Sequence, residues 1–297
     1  MTDGEFSVVL EGYSYLESPR WHEGRLWVSD FYTHGVVATD GGGRAEVVAE
    51  VPNQPSGLGW LPDGRLLMVS MRDQKVLRRE ATGELVEHAD LSGLARGHAN
   101  DMLVDREGRA YVGSFGFDLM GGGRIKPSVL VRVDPDGAAT VAAEDLLFPN
   151  GMALLPDGTL VVAETWGNRL CAFDVGPDGE LGNRRVWASF GDPPRTDNVV
   201  EALGLISVAP DGICADAEGA IWVADGLNRR VLRVREGGEV VQEVHPGDGV
   251  YACMLGGEDG RTLFICVAPS FAEHERRDVR EARLLSLHVD VPRAGLP

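Results

Sequence analysis

Pro149-Asn150-Gly151-Met152-Ala153-Leu154-Leu155-Pro156-Asp157-Gly158-Thr159-Leu160-Val161-Val162 reads as a short apolar strand, an acidic-Gly turn and a β-rich strand. Five other segments repeat it. They contain Glu17-Ser18-Pro19 before Glu23-Gly24, Pro55-Ser56-Gly57 before Asp63-Gly64, and Ala99-Asn100-Asp101 before Glu107-Gly108. Pro210-Asp211-Gly212 before Glu218-Gly219 and Tyr251-Ala252-Cys253 before Asp259-Gly260 complete the set. The turn glycines 24, 64, 108, 158, 219 and 260 are spaced by 40, 44, 50, 61 and 41 residues. A period of that size, made of strands and turns, predicts propeller blades.

Around each turn the chain supplies four strands. The stretch after the turn (160–163, 221–224) reads as a central strand. A second turn follows, as in Gly167-Asn168-Arg169, then a third strand and a shorter outer one such as 46–49 or 240–244. The inner runs are mostly apolar rather than alternating, as expected of strands covered on both faces by adjacent blades. Residues 6–10 precede the first repeat, and 283–289 read as the last blade's third strand. Pairing the two closes the ring and protects an edge. The expectation is an all-β, six-bladed propeller with four antiparallel strands per blade, forming a single domain over 1–297. Each blade buries its faces only against its neighbours, which overrides the two-domain prior set by length.

The net charge is −18. Such a surface repels phosphate backbones, so nucleic acid is excluded as an expected partner. No apolar run approaches the ~18 residues of a membrane span. The acidic first residues lack a basic-plus-apolar leader, so the expected location is cytoplasmic. Cys171, Cys214, Cys253 and Cys266 lie in apolar runs without a CxxC pair and read as buried, reduced thiols. There is no GxSxG elbow, phosphate-binding GxxxxGK[ST] loop or HExxH pair. Trp166, Trp187 and Trp222 read as blade packing.

A repeat makes positions comparable. Eight residues before each turn glycine stand Ser56, Asn100, Asn150, Asp211 and Ala252, and in the one-residue-shorter first repeat the equivalent is Glu17. This position opens the innermost strand beside the axis. Glu17, Asn100, Asn150 and Asp211 are therefore expected to converge as hard oxygen donors. Two carboxylates match a divalent charge, with Ca²⁺ favoured and Zn²⁺, Mn²⁺ or Mg²⁺ admissible. Ca²⁺ takes about 6–8 oxygens, so four protein ligands leave positions open. Asn and Asp beside Pro or Gly are also ordinary turn formers. Crowded carboxylates on an axis, however, need a counter-ion. Six residues after each turn glycine stand Asp30, Ser70, Ser114, Glu164, Asp225 and Cys266, read as strand-end turn formers or interblade hydrogen-bonding residues. Ser114 and Glu164 are expected near the supporting shell of the site.

The phrases Glu17-Ser18-Pro19-Arg20-Trp21, Asn100-Asp101, Phe148-Pro149-Asn150-Gly151-Met152 and Pro210-Asp211-Gly212-Ile213-Cys214 resemble the senescence-marker-protein/regucalcin/gluconolactonase family over residues 11–287. The resemblance implies a divalent cation on the axis, usually Ca²⁺ or Zn²⁺, and hydrolysis of sugar lactones or related esters. It implies Glu17, Asn150 and Asp211 as metal ligands, with Asn100 a further ligand or a contact to water or substrate. A cation there is expected to polarise the lactone carbonyl; the resemblance implies that Asp211 handles the water's proton, with a metal-bound water acting without a further base as the alternative.

One departure is His98, where the family often has an arginine two residues before the Asn. His98 is read as a substrate donor, a general base or a rim histidine without a role. The change puts a charged sugar acid in doubt. Phe115, Phe117, Leu119 and Met120 are expected at the rim and point to a less polar ligand. Asp101 is expected to contact substrate or to support the site from behind. Three stretches exceed a blade's needs: 115–127, 189–209 and 268–281. Loops on a rigid scaffold carry function, although the third reads equally well as a neutral insertion. The expected activity is metal-dependent opening of a sugar or aliphatic lactone by a monomer or small homo-oligomer. A calcium-binding regulator without turnover and a phosphotriesterase-like hydrolase are the alternatives. A protein-interaction propeller ranks last, having no use for four axial oxygen donors.

Overall fold

A computed structural model describes residues 5–41 and 44–296. The first four residues, read above as lacking a leader, lie outside the described residues. The chain forms six four-stranded antiparallel sheets. Their inner strands are Leu16–His22, Pro55–Trp60, Ala99–Val104, Pro149–Leu154, Pro210–Ala215 and Gly249–Gly256. Each packs against both neighbours, and Gly249–Gly256 returns to Leu16–His22, which completes the circle. The first strand, Ser7–Tyr13, pairs with Ala282–His288 in the sixth blade, with Leu10 opposite Leu284. The expected closure is what the chain adopts.

The acidic-Gly turns form for a local reason. Gly158 has φ +88° and Gly64 φ +85°, and a Cβ on either would meet nothing. Backbone conformation alone therefore calls for glycine there. Asp157 Oδ1 accepts from the Thr159 amide at 3.0 Å and Asp63 Oδ1 from the Arg65 amide at 3.1 Å. In the third and fifth blades the turn acid is Glu, and the Arg109 and Ala220 amides donate instead to Asp105 and Asp216 further upstream.

The central strands Leu66–Ser70 and Ile221–Asp225 are buried throughout, whereas the outer strand Ala45–Glu50 is largely exposed. This gradient explains why the inner runs lack alternation. All four cysteines are free and buried. The apolar part of 189–209 forms a short helix, Val199–Leu203, capped by Asn198, whose Oδ1 accepts from the Val200 and Glu201 amides. The charged insertion after residue 268 contains a helical turn, Glu273–Arg276.

Two features bring the inner strands together at the axis. Every inner strand is bulged at its start, the register slipping between Glu17 and Arg20, Pro55 and Leu58, Ala99 and Met102, Pro149 and Met152, Pro210 and Ile213, and Val250 and Ala252. A bulge re-aims side chains out of the pleat. The bulges also carry glycines at points of close approach. A Cβ on Gly151 would lie 2.5 Å from the Asp211 carbonyl oxygen, and one on Gly57 2.4 Å from the Met102 nitrogen.

Candidate active site

The strand-end acids fasten the loops that feed the bulges. Asp30 accepts from the Tyr15 amide at 2.9 Å and from the Ser14 hydroxyl, which sets the approach to Glu17. Glu164 accepts from the Leu147 amide at 2.9 Å, ahead of Asn150. Asp225 accepts from the Ala209 amide at 3.1 Å, ahead of Asp211. Each of these bonds ties the end of a central strand to the connection that enters its own blade from the preceding one. Burial opposes ionisation of Glu164, but hydrogen bonds from Arg169 and the charges of Arg169 and Arg184 prevail and hold its carboxyl below the usual range.

Held this way, four residues expected from the repeat meet on one cavity of about 120 Å³: Glu17, Asn100, Asn150 and Asp211 all line it. They form a chain across blades. The Ser56 hydroxyl donates to Asn100 Oδ1 at 3.2 Å. Asn100 Nδ2 donates to Asn150 Oδ1 at 2.9 Å, and Asn150 also bonds Asp211. Thr165 receives Asn150 Nδ2 at 3.2 Å and donates to the Pro210 carbonyl at 2.7 Å. Glu17 is buried; Asp211 keeps part of its surface open to the cavity.

Burial pushes the Glu17 carboxyl up to about 8, against bonds from the Ser18 amide and the Tyr15 phenol. Burial and the charge of Glu17 push Asp211 well above the carboxylate range. The nearest cation, Arg20, is committed elsewhere: it pairs with Asp101 at 2.6 Å and donates to the Met102 carbonyl at 2.7 Å. Glu17 and Asp211 thus share a hub that no Lys, Arg or His lines among the described residues. An amide oxygen has two lone pairs, so Asn150 Oδ1 can still accept or ligate. No three His, Cys, Asp or Glu side chains converge among the described residues. The donor set is two carboxylates and two amides, all hard oxygen, and it suits a divalent cation such as Ca²⁺.

The other expected site residues divide. Phe115, Leu119 and Met120 line the cavity. Phe117 is buried but lies off the wall. His98 also lies off the wall, its ring tilted against Phe115 at a centroid distance of 5.7 Å; burial and then Arg72 push its pKa down. Asp101 sits behind the hub, where it accepts from the Ser18 hydroxyl at 3.1 Å and carries Arg20. Sequence reasoning missed Tyr15, Tyr32, Phe148, Thr165, Tyr251 and Phe271 on the wall. Phe148 and Thr165 flank residues already singled out and could have been found. Phe271 lies within an insertion whose neutral reading was kept open, and its carbonyl receives the Tyr32 hydroxyl at 2.5 Å.

The family model described as the SMP-30/Gluconolactonase/LRE-like region matches residues 16–269. The chain belongs to this family. A 6-deoxy-6-sulfogluconolactonase from Pseudomonas putida is 31% identical over 63% of this chain and 60% of its own length. Regucalcin from Xenopus laevis is 28% identical over 88% of this chain and 85% of the relative. A pentonolactonase from Haloferax volcanii is 26% identical over 85% and 81%. The matches to the sulfogluconolactonase and to chicken regucalcin span only 60% and 58% of those relatives. Among solved structures, a luciferin-regenerating enzyme superposes with a TM-score of 0.80 at 16% identity, covering 99% of this chain and 98% of that one. A calcium-binding regucalcin from Agrobacterium tumefaciens superposes at 0.78 with 22% identity, covering 99% and 97%. At such identities these two carry the fold alone. No helix of the described residues is long and apolar enough to cross a membrane.

Proposed function

We propose that this family member is a divalent-cation-dependent lactonase that opens a lactone or related ester at the hub. The observation that carries the reading is the pair of carboxylates, Glu17 and Asp211, sharing a hub with two amide side chains at a cavity whose wall has no Lys, Arg or His among the described residues. Relatives named as lactonases support it.

Glu17, Asn150, Asp211 and Asn100 would hold the cation, Ca²⁺ before Zn²⁺, Mn²⁺ or Mg²⁺. Bound there, it supplies Lewis-acid polarisation of the substrate carbonyl. Asp211 is the hub carboxylate with surface open to the cavity, so it takes the proton from the attacking water. The water oxygen bonds to the acyl carbon, and the bond from that carbon to the ring oxygen breaks. The ring oxygen leaves as a hydroxyl with the proton passed on from Asp211, and the product is a hydroxy acid. Asn100, fixed between Ser56 and Asn150, orients the water or the substrate carbonyl. Asp101 keeps Arg20 and Ser18 in place behind Glu17, and His98 supports Phe115; neither touches substrate.

The test is a pH-indicator assay over a lactone panel, run on chelator-treated protein and after separate additions of each cation. Hydrolysis should vanish on chelation and return with Ca²⁺. Asp211→Ala and Asn150→Ala should each lower kcat by about 100-fold or more with an unchanged circular dichroism spectrum. Full activity in the metal-free protein or in both variants overturns the proposal. A cation-binding protein without turnover is favoured by one finding, the regucalcins among its relatives, and would show cation binding with no hydrolysis across the panel.

A further inference from the structure

The floor and the walls of the cavity differ in chemistry. Among the described residues, Glu17 and Asp211 are the only charged side chains that line it, and both are anionic. The walls are carbon: Phe31, Phe115, Phe148 and Trp166 from the blades, with Leu203 and Phe271 from the insertions. Phe115 and Phe148 pack at 4.6 Å between centroids, and Tyr15 meets Phe31 at 5.2 Å and Tyr251 at 4.9 Å, so the aromatic lining falls into two packed groups.

The polar groups on these walls are largely engaged. Tyr32 donates to the Phe271 carbonyl. Thr165 is bonded on both sides, to Asn150 and to the Pro210 carbonyl. The Tyr15 phenol serves Glu17. Trp166 Nε1 has no partner but lies out of reach of solvent. Among the described residues, Tyr251 keeps a hydroxyl without a hydrogen-bond partner, enough for one substrate oxygen.

All three insertions contribute apolar side chains to this enclosure: Leu119 and Met120 from the first, Val199 and Leu203 from the second and Phe271 from the third. The first two are tied to each other. Arg124 pairs with Asp197 at 2.7 Å, and the Ile125 amide donates to the Asp197 carbonyl at 2.8 Å.

We infer that the substrate is a lactone carrying an uncharged alkyl or aryl substituent, and that polyhydroxylated or anionic lactones are disfavoured. The inference rests on the lactonase reading. Beyond the one hydroxyl that Tyr251 can bond, a hydroxyl carried against these walls loses water and meets carbon. A sulfonate, as in the name of the Pseudomonas relative, would lie against apolar walls that, among the described residues, carry no Lys, Arg or His to pair it. An alkyl chain gains from every methylene it buries. The same apolar walls hold the ester close to the hub oxygens and keep bulk water away from them.

Steady-state kinetics on Ca²⁺-loaded protein with γ-butyrolactone, γ-nonalactone, dihydrocoumarin and glucono-δ-lactone test this. kcat/KM for γ-nonalactone and dihydrocoumarin should exceed that for glucono-δ-lactone by about 100-fold. Along a series of alkyl γ-lactones it should rise by about fourfold per methylene until the cavity is full. Leu203→Gln should shrink the preference for γ-nonalactone over γ-butyrolactone by about tenfold. Trp166 fluorescence, titrated with γ-nonalactone and with glucono-δ-lactone, reads binding without turnover.

Cation-dependent hydrolysis that favours glucono-δ-lactone overturns the inference and leaves the lactonase reading standing. Saturable, Leu203-sensitive binding of γ-nonalactone without hydrolysis of any lactone sustains the ligand class and overturns the lactonase reading. Neither hydrolysis nor binding of γ-nonalactone overturns both.

Discussion

Glu164 shows how one side chain serves the site from a distance. It is fully buried and bonded to Arg169 at 2.8 Å, to Arg184 at 3.2 Å and to the Leu147 amide. Its folded-state carboxyl lies below its ordinary range, so the folded protein binds fewer protons there than the unfolded chain. The stabilisation is present above the unfolded value near pH 4.5 and disappears as pH falls through the depressed folded one. Glu164→Gln should cost about 3 kcal/mol at pH 7, because two guanidinium groups lose their carboxylate. The gap between wild type and variant in urea melts should close as pH drops from 6 to 3; a gap independent of pH would show that the charge does not matter. The residue was legible as a repeat position, while its ligands, two arginines and a loop amide, were not. His98 was singled out for its place two residues before Asn100; its ring packs against Phe115 at a centroid distance of 5.7 Å, off the cavity wall.

At the scale of the strand, the bulge and its glycine decide whether a repeat becomes a site. A regular inner strand would alternate its side chains between the two neighbouring blades. The bulged start sends Glu17, Asn100, Asn150 and Asp211 to the axis instead. Gly151 lets this happen, since a Cβ there would lie 2.5 Å from the Asp211 carbonyl oxygen and 2.6 Å from the Ile213 nitrogen, both backbone atoms with little freedom to move. Gly151→Ala should therefore destabilise the fold by about 2 kcal/mol and depress lactone hydrolysis as the fourth and fifth inner strands separate. Gly158→Ala, with open space but φ +88°, should cost about 1 kcal/mol and leave catalysis intact. Equal effects on activity would refute the distinction. In the sequence Gly158 reads as a turn residue and Gly151 as part of a strand entry without a role of its own; a left-handed turn is a local property, but a close approach needs the neighbouring blade.

For the molecule as a whole, a cation at the hub would tie the first, third, fourth and fifth blades, since each supplies one oxygen donor. At a cation concentration 100 times its Kd, the stabilisation is about 2.7 kcal/mol. Chelation should lower the melting temperature by roughly 5 °C in a single transition. An unshifted melt would mean that the blades do not depend on the hub. The sequence alone determined the six-bladed ring, its closure by the N-terminal strand and the four residues that meet at the hub. These follow from a local code of turns, strand runs and repeat spacing that every blade carries in its own residues. Only the tertiary structure decided that Asp101 and Arg20 form a buried pair 81 residues apart, that His98 and Phe117 stand off the wall, and that three insertions roof the site in carbon. Those outcomes depend on which blades become neighbours and how closely their strands approach. That is a matter of packing between segments distant in the chain, which no local pattern encodes.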